Sequence, residues 1–379
     1  METQDLTMFL IVKSEHGERV HGLLKREGWL DAEVETRHEE NGSIGFPLTG
    51  SCPAETVADW LSSTASINAV MVLHEGKKRP SVDPHRRLRT AVQTWLDVNG
   101  LVMDAAAVTP QKWERLGDLA LLSQQVVRSE AWNLVRHHDR AEALWKAMAT
   151  ALNVNALGVQ APIADDTFRS SQVEMLLGDS EVTFTDHGMT YTFDAAKVMF
   201  SSGNITERRR IGNLDMRDEV VVDAYAGVGY YTFPMLVHAG AAHVHACEIN
   251  PASLAGLRAG GQANGILDKM TVHEGDNAVS LARLRGAADR CHLGLLPSSE
   301  AVWEACLLAL KPTTGGTLHI HMNVEEERID AWVDDTVKRF VKWCQHHQLG
   351  FTCKPLHVER VKWFAPRVRH VVLDLSLRP

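Results

Sequence analysis

Glu219-Val-Val-Val-Asp223-Ala-Tyr-Ala-Gly-Val-Gly229-Tyr-Tyr-Thr232 is the stretch on which the fold turns. The uninterrupted valines at 220–222 read as a strand buried on both faces, the pattern of a parallel sheet. Gly227 and Gly229 then let the chain turn sharply and bring bare backbone up to a ligand. The apolar run from Thr232 to Ala239 reads as a helix. A lone Gly-x-Gly is weak. Set between a strand ending in a carboxylate and a helix, it opens a nucleotide-binding βα unit.

Working outward downstream, the same alternation recurs. His243-Val-His-Ala-Cys247 predicts a second strand, followed by a helix from about Ala252 to Asn264. Met270-Thr-Val-His273, His292-Leu-Gly-Leu-Leu296 and Thr317-Leu-His-Ile-His321 predict three more, and Val371-Val-Leu-Asp-Leu375 a last one, antiparallel at an edge. Strands alternating with helices predict an α/β, doubly wound, Rossmann-like sheet. Ligands of such sheets sit beyond the carboxyl ends of the strands. Glu248, at the end of the second strand, is placed to accept the hydroxyl protons of a ribose. Gly275-Asp276-Asn277 ends the third, where a carboxylate beside an amide can bond an adenine amino group and ring nitrogen. These polar strand ends suit either a nicotinamide dinucleotide or S-adenosylmethionine. A dinucleotide loop wants a third glycine where Thr232 stands, which favours S-adenosylmethionine.

Upstream, the patterns are smaller. Residues 7–12 predict a strand, Glu18–Glu27 a helix closed by Gly28, and Ile44–Leu48 a returning strand. Residues 49–85 carry no clear period, and Pro80–Pro84 reads as a linker. Helices are expected at Arg86–Val98 and from Glu130 to Leu152. Glu181–Thr185 and Met189–Phe193 alternate around Asp186-His-Gly188 as a hairpin, with a further strand at Lys197–Ser201. Asn204 and Glu207 have the spacing of a capping box. Three regions result: a small α+β unit at 1–80, a helical then β-rich region at 81–210, and the Rossmann-like domain at 211–379.

Composition sets the class. No apolar run approaches the ~20 residues of a membrane span. Met1–Asp5 is acidic and no signal peptide is expected, and six scattered cysteines without a Cys-x-x-Cys pair fit a reducing compartment, the cytoplasm. The net charge of −9 disfavours nucleic acid, yet the basic residues cluster at 77–89, 208–210 and 360–369, where phosphates can be held. His319 and His321 share one strand face, but no further ligand follows at metal spacing, and no metal is expected. Ser298 and Ser299 read as helix caps, Trp303 as core.

Several motifs carry a resemblance to a known family. They include Phe200-Ser-Ser-Gly-Asn204, the glycine loop, Ala246-Cys-Glu-Ile-Asn-Pro251, Leu293-Gly-Leu-Leu-Pro-Ser-Ser-Glu300 and Gly315-Gly-Thr-Leu-His-Ile-His-Met-Asn-Val324. Upstream, Lys112–Leu122 and Val173–Gly178 join them. Together they resemble the tRNA wybutosine-synthesizing protein 2 family. The resemblance implies a class I S-adenosylmethionine-dependent methyltransferase fold that does not methylate. It implies transfer of the 3-amino-3-carboxypropyl group of S-adenosylmethionine, a co-substrate, to C7 of 4-demethylwyosine at position 37 of tRNA(Phe), with methylthioadenosine leaving. The family's cofactor contacts fall on Ser201, Arg208, Glu248, Asp276 and Asn277, with lysine an alternative at position 208. No catalytic base stands out. The partner implied is the anticodon stem-loop of tRNA(Phe), stacked on aromatics such as Tyr225, Tyr230, Tyr231 and Phe200, with the basic runs at 77–89 and 360–369 along its backbone, and a monomer is expected. The alternative is the sister family that methylates N1 of guanosine 37. That family tends to carry Ser-Pro-Arg-Leu where this chain has Ser201-Ser-Gly-Asn204, and Asn-Leu-Pro where it has Leu295-Leu-Pro297. More remote readings are a tRNA-binding module without activity and a nicotinamide dehydrogenase.

Overall fold

A computed structural model describes residues 6–39, 41–77, 83–161, 168, 170–200 and 202–379, in two compact units, Met1–Asp83 and Pro84–Pro379. The first unit contains β1 (Leu6–Lys13), α1 (Gly17–Glu27), β2 (Arg37–His38), β3 (Ser43–Pro47), α2 (Val57–Ala65) and β4 (Val70–Glu75). Its antiparallel sheet has the order β2-β3-β1-β4. Leu10, Val12 and Phe46 from the sheet pack against Val20, Leu24, Val57 and Leu61 of the helices. Gly28 ends α1 at φ 71°, a left-handed cap that glycine adopts without strain. The stretch without a clear period thus holds a helix and a strand. Most of the expected linker lies outside the described residues, and Pro84 already opens a helix.

That helix is α3 (Pro84–Val98), which starts the second unit and is followed by β5 (Trp113–Leu116), β6 (Leu119–Leu122) and α4 (Gln124–Val127). The long helix expected at 130–152 is two, α5 (Glu130–Arg136) and α6 (Ala141–Leu152). Ser129 caps the first by accepting from Trp132 N, and the chain turns at His137–Arg140 before the second. With β7 (Ala156–Val159) and β8 (Glu174–Leu177) a second sheet forms, ordered β5-β6-β7-β8. The hairpin is as expected: β9 (Glu181–Asp186) and β10 (Met189–Asp194) join through His187 and Gly188, at φ 51° and 78°. Residues 197–200 of the expected strand at Lys197–Ser201 are not extended into one, and Ser201 lies outside the described residues. The backbone N–H groups of Lys197 and Val198 both return to the Asp194 carbonyl in a turn.

After α7 (Ile205–Gly212) come β11 (Val220–Asp223), α8 (Thr232–Val237), β12 (His243–Glu248), α9 (Pro251–Ala263), β13 (Met270–Glu274) and α10 (Asn277–Arg283). Then follow β14 (Arg290–Leu293), α11 (Trp303–Ala309), β15 (Gly316–Glu325), α12 (Ile329–His346), β16 (Thr352–Ala365) and β17 (Val368–Arg378). They form a seven-stranded sheet ordered β13-β12-β11-β14-β15-β17-β16, parallel through β15. Chain order reverses beside β11, which makes the loop after it the switch-point crevice of an α/β sheet. The last strand is antiparallel, as expected, but lies inside the sheet: β17 pairs with both β15 and β16, and β16 is the edge. Among the described residues, no helix is long and apolar enough to cross a membrane.

Candidate active site

The loop after β11 needs its glycines. Gly227 and Gly229 sit at φ 56° and 100°, and a Cβ at Gly229 would lie 2.3 Å from the Phe233 ring. The second value is one that side chains rarely tolerate. Asp223 anchors the loop's start, its buried Oδ2 accepting from Thr232 Oγ1 at 2.8 Å. Glu248 anchors the other side. Its Oε2 accepts from Gly227 N at 2.7 Å, and its Oε1 from Ile249 N at 2.9 Å and Asn250 N at 2.7 Å. Burial pushes the Glu248 carboxyl up, and these three N–H donors oppose that shift.

Asp276 and Asn277 close the third side. Asp276 caps α10, its Oδ1 accepting from Ala278 N at 2.8 Å, and Asn277 Nδ2 donates to the Ala224 carbonyl at 2.9 Å. The same side chains therefore tie together the ends of β11, β12 and β13. They line one cavity of about 370 Å³, with Tyr225, Gly227, Tyr230 and Leu295 around it. That volume lies in the ~300–1,000 Å³ range of small-molecule sites. Carboxylate acceptors at two strand ends, bare backbone at Gly227 and apolar walls suit an adenosyl group: hydroxyls to bond, a purine to sandwich, a tail to direct.

The structure does not bring every expected residue to this cavity. Ser201 lies outside the described residues. Arg208 is buried, but it does not line the cavity: its Nη2 donates to Asp186 Oδ2 at 2.8 Å, and its guanidinium lies 5.0 Å from the Phe200 ring centre. Glu207 is not a capping residue, and Asn204 makes no side-chain cap. Instead the buried Glu207 carboxylate takes both Arg210 Nε and Nη2 at 2.8 Å, while Arg210 also grips Asp374 at 2.6 and 3.0 Å. The bidentate Arg210 fork, itself fixed by Asp374 164 residues on, gives the Glu207 carboxylate two charge-assisted bonds where a cap would give one. Ser298 does cap, accepting from Glu300 N at 3.2 Å, whereas buried Ser299 donates to the His321 carbonyl. Trp303 is core.

Beneath the loop lies a feature that local sequence did not reveal. His321 bonds His370 and His292 through its two ring nitrogens, each at 3.0 Å, and the His292 ring lies tilted against Tyr231 with centres 3.9 Å apart. Each nitrogen-to-nitrogen contact needs one protonated and one bare nitrogen. Burial holds His321 far below its usual range and pushes His370 down to about 3. His319, between Asp374 and Arg290, is pushed down to about 4, with burial again the main cause. The only signal in the sequence was the alternation of residues 319 and 321; the other rings come from neighbouring strands.

Residues 182–351 match the TRM5/TYW2 methyltransferase domain, and residues 99–181 match the TYW2 N-terminal domain. A zebrafish (Danio rerio) protein named tRNA wybutosine-synthesizing protein 2 homolog is 34% identical, over 99% of this chain and 100% of its own. A rice (Oryza sativa subsp. japonica) protein named tRNA wybutosine-synthesizing protein 2/3/4 is also 34% identical, over 98% of this chain; the chain spans 38% of that relative's length. Among solved structures, Pyrococcus horikoshii TYW2 in complex with MeSAdo is 26% identical with a TM-score of 0.62, covering 76% of this chain and 99% of its own.

Proposed function

The chain belongs to the tRNA wybutosine-synthesizing protein 2 family, and on that premise we propose that it transfers the 3-amino-3-carboxypropyl group of S-adenosylmethionine to C7 of 4-demethylwyosine at position 37 of tRNA(Phe). The observation that carries this reading is the convergence of Glu248, Asp276 and Asn277 on one cavity at the switch point. The MeSAdo held by the Pyrococcus relative is a nucleoside of the size and kind such a site fits.

The sulfonium of the co-substrate offers three electrophilic carbons, and transfer of the longer group forms a bond to its γ-carbon while the thioether leaves with the electron pair. What the protein must supply is orientation, which alone can give large rate factors. Glu248 accepts from the ribose hydroxyls, Asp276 and Asn277 hold the purine, and the loop backbone at Gly227 passes close beneath. Ser201 and Arg208 aim the methionine tail. For Arg208 this means exchanging Asp186 for the substrate carboxylate, so Arg208→Ala weakens co-substrate binding, and unchanged affinity would reject that role. No catalytic residue is assigned.

The tRNA side rests on charge. Arg86, Arg89, Arg360 and Arg367 are exposed, and with Lys362 and Arg369 they follow the backbone of the anticodon stem-loop. The enzyme works as a monomer in the cytoplasm, in three regions at 1–80, 81–210 and 211–379. Leu295 in the cavity wall, where the N1-methylating sister family is expected to carry asparagine, favours this reading over methyl transfer. Product analysis tests it. Methylthioadenosine released in step with tRNA modification supports the reading, and S-adenosylhomocysteine overturns it.

A further inference from the structure

The edge strand of the large sheet is built unlike its neighbours. β16 pairs with β17 through three register shifts, between Pro355 and His357, Arg360 and Lys362, and Trp363 and Ala365. Each shift inserts an unpaired residue, and two of these, Leu356 and Phe364, are more than half exposed. Bulges of this kind twist an edge away from further strand pairing and re-aim side chains outward. Edge lysines at 354 and 362 work in the same direction. The edge is therefore poorly suited to adding a strand from a protein partner, and well suited to contacts made by side chains.

Those side chains have one character. Residues 352–369 carry five cations (Lys354, Arg360, Lys362, Arg367 and Arg369) and one carboxylate, Glu359, in a chain of net charge −9. Among them Trp363 is 53% exposed, and the Arg369 guanidinium lies 3.6 Å from the centre of its ring. Arg369 is itself held, its Nε donating to Glu326 Oε2 at 2.7 Å, so it covers the indole from one fixed side. An exposed indole backed on one side by a clamped cation, on a hairpin that carries four further cations, has the make-up of a stacking platform for a nucleic acid base. Its place in the fold agrees. Trp363 pairs with Arg369, and Arg369 with Val324, at the carboxyl end of β15, so the platform lies at the same edge of the sheet as the cofactor loop. Lys362 extends from this hairpin to within 2.7 Å of the space a side chain would fill at Gly203, just before α7.

We propose that the outer face of Trp363, backed by Arg369, stacks an unpaired base of the tRNA while the cations of the β16–β17 hairpin hold the adjoining phosphates. This rests on the tRNA reading above. The test is equilibrium binding of a tRNA(Phe) transcript to the full chain at several salt concentrations, for the wild type, Trp363→Ala and Trp363→Phe. Loss of one stacked base is expected to weaken binding about tenfold. The salt slope and the affinity for S-adenosylmethionine stay as in the wild type, and phenylalanine restores most of the loss. The melting temperature is expected to stay unchanged, because the ring is half exposed. If Trp363→Ala binds the transcript as tightly as the wild type, or if phenylalanine restores nothing, the platform is wrong and the tRNA reading stands. If the wild type itself binds no tRNA, both fall.

Discussion

Replacing Glu248 by glutamine keeps the shape of the side chain and removes its charge, which separates two jobs the carboxylate performs. One oxygen accepts from two backbone donors, Ile249 N and Asn250 N, and the other from Gly227 N alone. The amide will keep its oxygen on the doubly bonded side and turn its NH₂ towards Gly227, setting donor against donor. One charge-assisted bond, worth about 1.5–3 kcal/mol, is lost. Against this, the carboxylate is held charged in a site whose burial resists it, and glutamine is spared that cost. The net loss of stability is about 1–2 kcal/mol, a fall of roughly 2–6 °C in melting temperature for a domain of this size. The ribose hydroxyls lose a charged acceptor as well, at about 1.5–3 kcal/mol, so affinity for S-adenosylmethionine should fall about 10- to 100-fold. Calorimetric titration beside ligand-free melting curves reads both quantities. Unchanged affinity would refute the role of Glu248 in binding, and with lowered stability it would reduce the residue to a brace for the loop.

Arg210→Met leaves the buried Glu207 and Asp374 carboxylates without their shared cation and should cost about 3–5 kcal/mol. Glu207→Gln leaves the Arg210–Asp374 pair intact and should cost about 1–2 kcal/mol; urea unfolding that ranks them the other way would refute the bridge. Gly229→Ala should destabilise more than Gly275→Ala. Both sites have φ near 100°, but only the first Cβ meets a ring, and a Cβ at Gly275 finds open space; equal melting temperatures would count against the clash. The buried histidines predict acid sensitivity. His319 and His370 have folded pKa values of about 4 and 3, and His321 is lowered further by burial, so the unfolded chain binds their protons first. Their stabilisation is full above pH ~6.5 and is lost as pH falls, at up to about 1.4 kcal/mol per pH unit for each ring. A melting temperature unchanged between pH 7 and pH 5 would refute this.

How far the sequence could be read follows from the range of the forces involved. The β11 loop, its glycines and the three polar strand ends were legible because each is a local pattern: a β-branched run, a forced positive φ, a carboxylate at a fixed remove. The β9–β10 hairpin was legible for the same reason, since its turn residues and its alternation lie within fourteen residues of sequence. Reading failed where structure depends on distant partners. β6 and β7, Leu-Ala-Leu-Leu and Ala-Leu-Gly-Val, are four-residue runs buried on every side chain, too short to tell from helix by period. β16 hid because its bulges break the alternation by which strands are recognised. Glu207 had the spacing of a cap but is held by Arg210, whose second carboxylate lies at the far end of the chain. Arg208 shows the same limit at the site itself. Its position in the motif is local, but whether it faces the co-substrate depends on Asp186 in the hairpin turn. The nucleoside end of the site is thus set by strand ends that any sheet of this order would supply. On the proposed reading, the choice of which carbon is transferred falls to Arg208 with the hairpin turn and the β16–β17 edge around it. Substitutions there, at Asp186 or Lys362, should alter which product forms more than they alter how tightly the nucleoside binds.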